Sequence, residues 1–201
     1  MTILMLNLKN IIHEKFSGHD HGVFNGDQLL AEEYFDLVYD FLWSYRGKGA
    51  KELIAWLDAH NDIHQNIIDA FTEEYGNGIE CYRGMHFNES DEYGYNEVWK
   101  KYEVGDKVRM ETKDSGMLLQ HWSTDIKVGK RFASMGEFGM LFQKNIRASR
   151  VVYISDFMDQ DDKMEFKKKH LSTLHSGTLS QESEVVVLGA LDDCKVIEKM
   201  G

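Results

Sequence analysis

Gly76-Asn77-Gly78 marks the point where this chain changes texture. Ahead of it, apolar residues recur at spacings of three and four; behind it they fall into short runs of strand-forming composition. The stripe Leu30, Tyr34, Leu37, Val38, Phe41 and Leu42 predicts an amphipathic helix, closed by the glycine-containing break at 46–50. Leu53, Ile54, Trp56 and Leu57 predict a second helix, and Ile63, Ile67, Ile68 and Phe71 a third over Asp62–Tyr75. Strands are predicted at 79–85, 107–111, 118–123, 139–143, 150–155, 184–188 and 195–198, with helical patches at 126–135 and 161–171. Residues 1–16 suit helix or strand, and 17–27 read as loop. Helices first and strands afterwards make the chain α+β, with a mainly helical region at 1–78 and a β-rich region at 79–201 forming one compact unit.

Composition narrows the partners. The 201 residues carry a formal charge of −11, which argues against extended nucleic acid, whose phosphates need clustered Lys and Arg. A single nucleotide held by one or two basic residues stays compatible with that charge. No apolar run reaches the roughly 18 residues of a membrane span, and the opening MTILMLNLKN does not read as a signal peptide. Cys81 and Cys194 both fall in strand-like segments and read as buried reduced thiols, as expected of a cytoplasmic protein. With no proline in the chain, turns rest on Gly, Asn, Asp and Ser. Neither His19-Asp20-His21 nor the helical pair His60 and His64 has companions at zinc-like spacing, so no metal is expected. Lys167-Lys168-Lys169-His170 reads as a solvated helix face.

Three short pieces carry chemistry, each with two readings. In CYRGMHF, Arg83 lies inside an apolar strand and Gly84 follows it. A guanidinium there needs an anion, either a surface carboxylate or a ligand that approaches over the glycine. In LLQHWSTDIKVGKRFAS, a strand ends in Ser123-Thr124-Asp125 and passes into a helix. Those residues are natural N-caps, and a hydroxyl at a strand end also suits the orienting of a neighbouring carboxylate. In QESEV, Glu182 and Glu184 share one side of an extended segment, as a solvated pair or as a site.

In this order the three pieces resemble the arginine–serine–glutamate class of mono-ADP-ribosyltransferases, and the small bacteriophage-encoded arginine-specific members look closest in size. The likeness runs from about Ile79 to the C-terminus and includes Phe132-Ala133 in the helix after the Ser-Thr motif, and the ending EVVVLGALDDCKVIEKM. It implies a split β-sandwich behind the helical segment, NAD as co-substrate, and transfer of ADP-ribose to arginine with release of nicotinamide. By that likeness Glu184 is the catalytic carboxylate that grips the nicotinamide ribose, and Ser123 orients it. Arg83 binds the phosphates, Gly84 lies against the nicotinamide amide, Thr124 belongs to the same cofactor-binding motif, and Glu182 engages the acceptor guanidinium. Phe138, in Gly136-Glu137-Phe138-Gly139, is the candidate aromatic over the nicotinamide. The implied partner is a host protein carrying the acceptor arginine, or the chain itself, in the host-cell cytoplasm, where the chain acts as an effector or toxin. The same fold also admits a nucleic-acid base, a small guanidino compound or water as acceptor, and a non-catalytic interaction protein is a further reading.

Two departures from the family pattern stand out. Asp125 occupies the third position of the Ser-Thr motif, where Ser or Thr is usual, either as a third carboxylate or as the helix N-cap. Gly189-Ala190-Leu191-Asp192-Asp193 replaces the usual proline-glycine turn between the last two strands.

Overall fold

The computed structural model describes residues 23–25, 27–43, 49–90, 92–110, 119–155 and 184–201. Three helices come first: α1 (Gln28–Trp43), α2 (Ala50–Ala59) and α3 (Asn61–Tyr75). Asp27 caps α1, its carboxylate accepting from Leu29 N and Leu30 N at 3.1 and 3.2 Å. At the far end of α3, Gly76 takes φ 72° and donates its N–H to Thr72 O, so the predicted breaker is the residue that turns the chain.

Seven antiparallel strands follow: β1 (Gly78–Phe87), β2 (Lys107–Met110), β3 (Leu119–Ser123), β4 (Phe138–Arg147), β5 (Val151–Ile154), β6 (Glu184–Leu188) and β7 (Leu191–Met200). Their order is β2-β7-β4-β1-β3-β6-β5. Helix α4 (Ile126–Ala133) leaves the end of β3. The architecture is therefore mixed α+β, as the order of textures predicts.

The sheet has a seam. β1 pairs with β4 over ten residues, from Gly78↔Arg147 to Phe87↔Phe138, whereas β1 and β3 share one residue pair, Tyr82↔Ser123. Residues of both halves nevertheless enter a common core, which includes Cys81, Met140, Phe142 and Val196 from one side and Trp122, Val151, Val185 and Val187 from the other.

A second core lies between the helices and the outer half of the sheet. Tyr34, Val38 and Phe41 of the predicted stripe are buried there, with Leu30, Leu37 and Leu42 partly so, and Ala31 and Phe35 join them. They pack with Leu119 of β3, Val152 and Tyr153 of β5, and Val186 of β6, while the Tyr34 hydroxyl donates to Val152 O. Each large apolar side chain buried this way contributes about 1.5–3 kcal/mol. Strand alternation divides β6 accordingly: Val186 faces the helices, and Val185 and Val187 face the other core.

Several predicted boundaries need correction. β4 runs to Arg147 and β7 from Leu191, beyond the predicted 139–143 and 195–198, because pairing with β1 and β2 recruits polar residues that lack strand periodicity. The turn read at 189–193 shrinks to Gly189 and Ala190; Asp193 lies within β7 with φ 56°, where the register against β2 shifts. A π-helical stretch, Glu92–Trp99, has no counterpart in the predicted elements. Tertiary stacking holds it: Tyr95 and Trp99 each lie 4.6 Å from the Phe138 ring. The predicted helix at 161–171, its Lys167–His170 face, His19-Asp20-His21 and residues 1–16 lie outside the described residues.

Candidate functional site

Helix α4 seats itself unusually close to the sheet, and glycines permit it. A Cβ on Gly84 of β1 would stand 1.9 Å from Gly129 O and 2.5 Å from Ala133 N of the helix. The backbone of Gly84 therefore meets α4, a steric reason for glycine beyond the ligand approach read from sequence. Asp125 caps the helix, its carboxylate accepting from Lys127 N at 2.8 Å, which settles its two readings in favour of the N-cap.

With α4 so placed, the seam between β1 and β3 opens into a cleft of about 590 Å³, within the range of small-molecule sites. Arg83 and Gly84 enter it from β1, Ser123 from the end of β3, and Glu184 from the start of β6. Four sequence candidates, the outermost being Arg83 and Glu184, thus converge. Leu42, Phe132 and Met135 supply apolar lining, and Arg131 adds a second guanidinium from α4. Met135 is 63% exposed, an uncovered apolar surface at the rim.

Ser123 and Glu184 are direct partners in the β3–β6 ladder. The Ser123 Oγ accepts from Asp125 N at 3.1 Å, tying the strand end to the helix cap. Glu184 is buried, and its N–H donates to Ser155 Oγ at 2.8 Å. One of its carboxylate oxygens meets His121 Nδ1 at 2.5 Å. His121 was not among the sequence candidates, although it lies two residues before Ser123 and so shares its face of β3. Its ring stacks on Phe41 of α1, centroids 4.5 Å apart and planes 13° apart.

Arg83 is half-buried and donates from Nη1 to His121 O at 3.2 Å, the one hydrogen bond it makes among the described residues. It thereby reaches a β3 carbonyl where the β1–β3 ladder stops after one pair. Burial lowers its pKa to about 10, so the group is charged at neutral pH with no carboxylate beside it among the described residues. That arrangement suits an anionic ligand more than the surface ion pair that was the other reading.

Not every candidate joins the cleft. Thr124 is half-buried and Phe138 packs with Tyr95 and Trp99; neither is among the described lining residues. Phe138 thus has a packing role in the fold, and Phe132 is the aromatic that faces the cleft from α4. Glu182 lies outside the described residues. Cys81 and Cys194 are buried and free, and burial pushes their thiols up to about 12 and about 11, which removes thiolate chemistry at neutral pH. His60 stacks on Trp56 at 4.1 Å, and burial lowers the pKa of His64.

No family model matches this chain, and no curated protein or solved structure does either. Among the described residues no helix is long and apolar enough to cross a membrane, and no group of three or more His, Cys, Asp or Glu is placed to hold a metal. The chemistry of the cleft is therefore read from its own geometry.

Proposed function

We propose that this chain cleaves NAD and transfers the ADP-ribosyl group to an arginine side chain. The observation that carries the reading is the convergence of Arg83, Ser123 and Glu184 at one seam of the sheet. Supporting the split-sandwich form of that fold, the two halves meet at a single residue pair and share a core across it.

The residue types fit the chemistry. Breaking the bond between nicotinamide and ribose sends the bonding pair to the pyridinium nitrogen, so nicotinamide leaves neutral and the sugar becomes an oxocarbenium-like cation. A fixed, largely desolvated carboxylate such as Glu184 stabilises that cation far better than water does. Arg83 offers forked donors to the pyrophosphate, with charge that no carboxylate among the described residues neutralises. The acceptor nitrogen then bonds to the sugar carbon and gives up a proton to a carboxylate, the role proposed for Glu182.

Nicotinamide release from NAD by the purified chain, followed with and without a lysate of candidate host cells, tests the reading. Release that rises with lysate, and that Glu184→Ala abolishes, supports transfer. Equal release without any acceptor points to hydrolysis, and label removed by nuclease rather than protease points to a nucleic-acid acceptor. No release at all overturns the proposal.

A further inference from the structure

We propose that His121 is a positioning residue for Glu184, and that the helical layer reaches the site through it. The inference rests on the reading of Glu184 as the residue that stabilises the ribosyl cation. A glutamate carboxylate turns easily about its last torsion, yet charge stabilisation needs it held to about 10–20°. The Glu184 backbone is fixed by the β3–β6 ladder and by Ser155, but neither restrains the carboxylate. His121 does: Nδ1 lies 2.5 Å from Oε1, and Oε2 makes no hydrogen bond among the described residues. One oxygen is thus held and the other left for a ligand hydroxyl.

His121 is in turn held at two points, its ring and its backbone carbonyl. Phe41, 1% exposed in the core between α1 and the sheet, stacks on the ring, while Arg83 Nη1 holds the His121 carbonyl. A chain of contacts therefore runs from Phe41 through His121 to Glu184. The His121 side chain is 39% exposed and that of Glu184 is 11% exposed, so the pair stands at the wall of the cleft rather than sealed in the core. A carboxylate can also orient a histidine that acts as a base, and the substitutions below separate the two directions. Asparagine carries an amide nitrogen on the same carbon that bears Nδ1 in histidine, so it can donate to Glu184 but cannot take up a proton at neutral pH.

The test is nicotinamide release by the full chain as wild type, Glu184→Ala, His121→Ala, His121→Asn and Phe41→Leu, with kcat and the KM for NAD separated. His121→Ala is expected to lower kcat by about 10–100-fold, the usual cost of removing an orienting partner, with KM unchanged. His121→Asn is expected to recover most of that loss, and Phe41→Leu to lower kcat by a smaller factor. A His121→Asn variant as slow as His121→Ala overturns the positioning role in favour of a base. An unchanged kcat in His121→Ala, or in Phe41→Leu should His121→Ala fail to fold, overturns it too. Absence of release by wild type, or release that survives Glu184→Ala, instead overturns the reading of the site on which the inference stands.

Discussion

Ser123 and Glu184 face each other across the β3–β6 ladder, the last residue of one strand against the first of the next. Their pairing sets the cleft at a strand end, beside the seam where β1 and β3 separate. Replacing Glu184 by Gln keeps the side-chain shape and removes the charge. We expect kcat for nicotinamide release to fall by about 10²–10³-fold, the range for removing one electrostatic stabiliser, while NAD still binds. Turnover and equilibrium binding measured on the same preparation check both halves.

Arg83 is charged, half-buried and, among the described residues, bonded to one carbonyl. Because burial lowers its folded pKa to about 10, below the ordinary arginine value, the unfolded chain holds the proton more tightly. The resulting cost is fully present at neutral pH and is relieved only as pH rises above about 10. If the proposed site holds NAD, its pyrophosphate would supply a counter-charge that no carboxylate among the described residues supplies. NAD at 100 times its Kd is expected to stabilise the fold by about 2.7 kcal/mol, and Arg83→Met to remove that response. Thermal melts of both proteins with and without NAD show whether it does.

Close packing of α4 predicts the behaviour of Gly84. An alanine there meets Gly129 O and Ala133 N, both backbone atoms that cannot swing aside. Gly84→Ala is expected to destabilise the fold by about 1–3 kcal/mol and to displace the helix that carries Phe132. Urea unfolding gives the first quantity and the KM for NAD reports the second.

Phe138 and Phe132 sit in different settings, one packed against Tyr95 and Trp99 and the other lining the cleft. Phe138→Leu disturbs the stack with Tyr95 and Trp99 and is expected to cost about 1 kcal/mol of stability with no change in KM. Phe132→Ala is expected to raise KM through the cleft wall. Steady-state kinetics beside denaturant melts of both variants distinguish these outcomes.

Removing the helices exposes Leu119, Val152, Tyr153 and Val186 together. A chain beginning at Gly76 is expected to aggregate, as contiguous apolar patches do, and to lose the Phe41 stack on His121. Light scattering of the shortened chain against the full one tests this.

Local pattern carried much of this architecture. The helical stripe from Leu30 to Leu42 and the apolar runs of β3, β5 and β6 are legible because each buries one face in a fixed period, and Gly76 because it breaks one. What pattern cannot show is pairing. The polar ends of β4 and β7 are strands because β1 and β2 lie beside them, and Glu92–Trp99 is ordered by Phe138. The site divides the same way. Arg83, Ser123 and Glu184 stood out as charge or hydroxyl at strand positions, whereas His121 looked like one more strand residue until Glu184 and Phe41, 63 positions after it and far before it, came into contact. Gly84 signalled close approach, but sequence pointed to a ligand where the structure also places a helix.

The central claim is that Glu184 drives transfer of ADP-ribose from NAD to arginine. Mass spectrometry of lysate proteins after incubation with NAD, with the attachment residue mapped in wild type and in Glu184→Gln, tests it most directly. The account predicts ADP-ribose on arginine side chains with wild type and its near-complete loss with the variant. Wild type that leaves no ADP-ribose on any arginine, or a variant that modifies the same residues equally well, contradicts it.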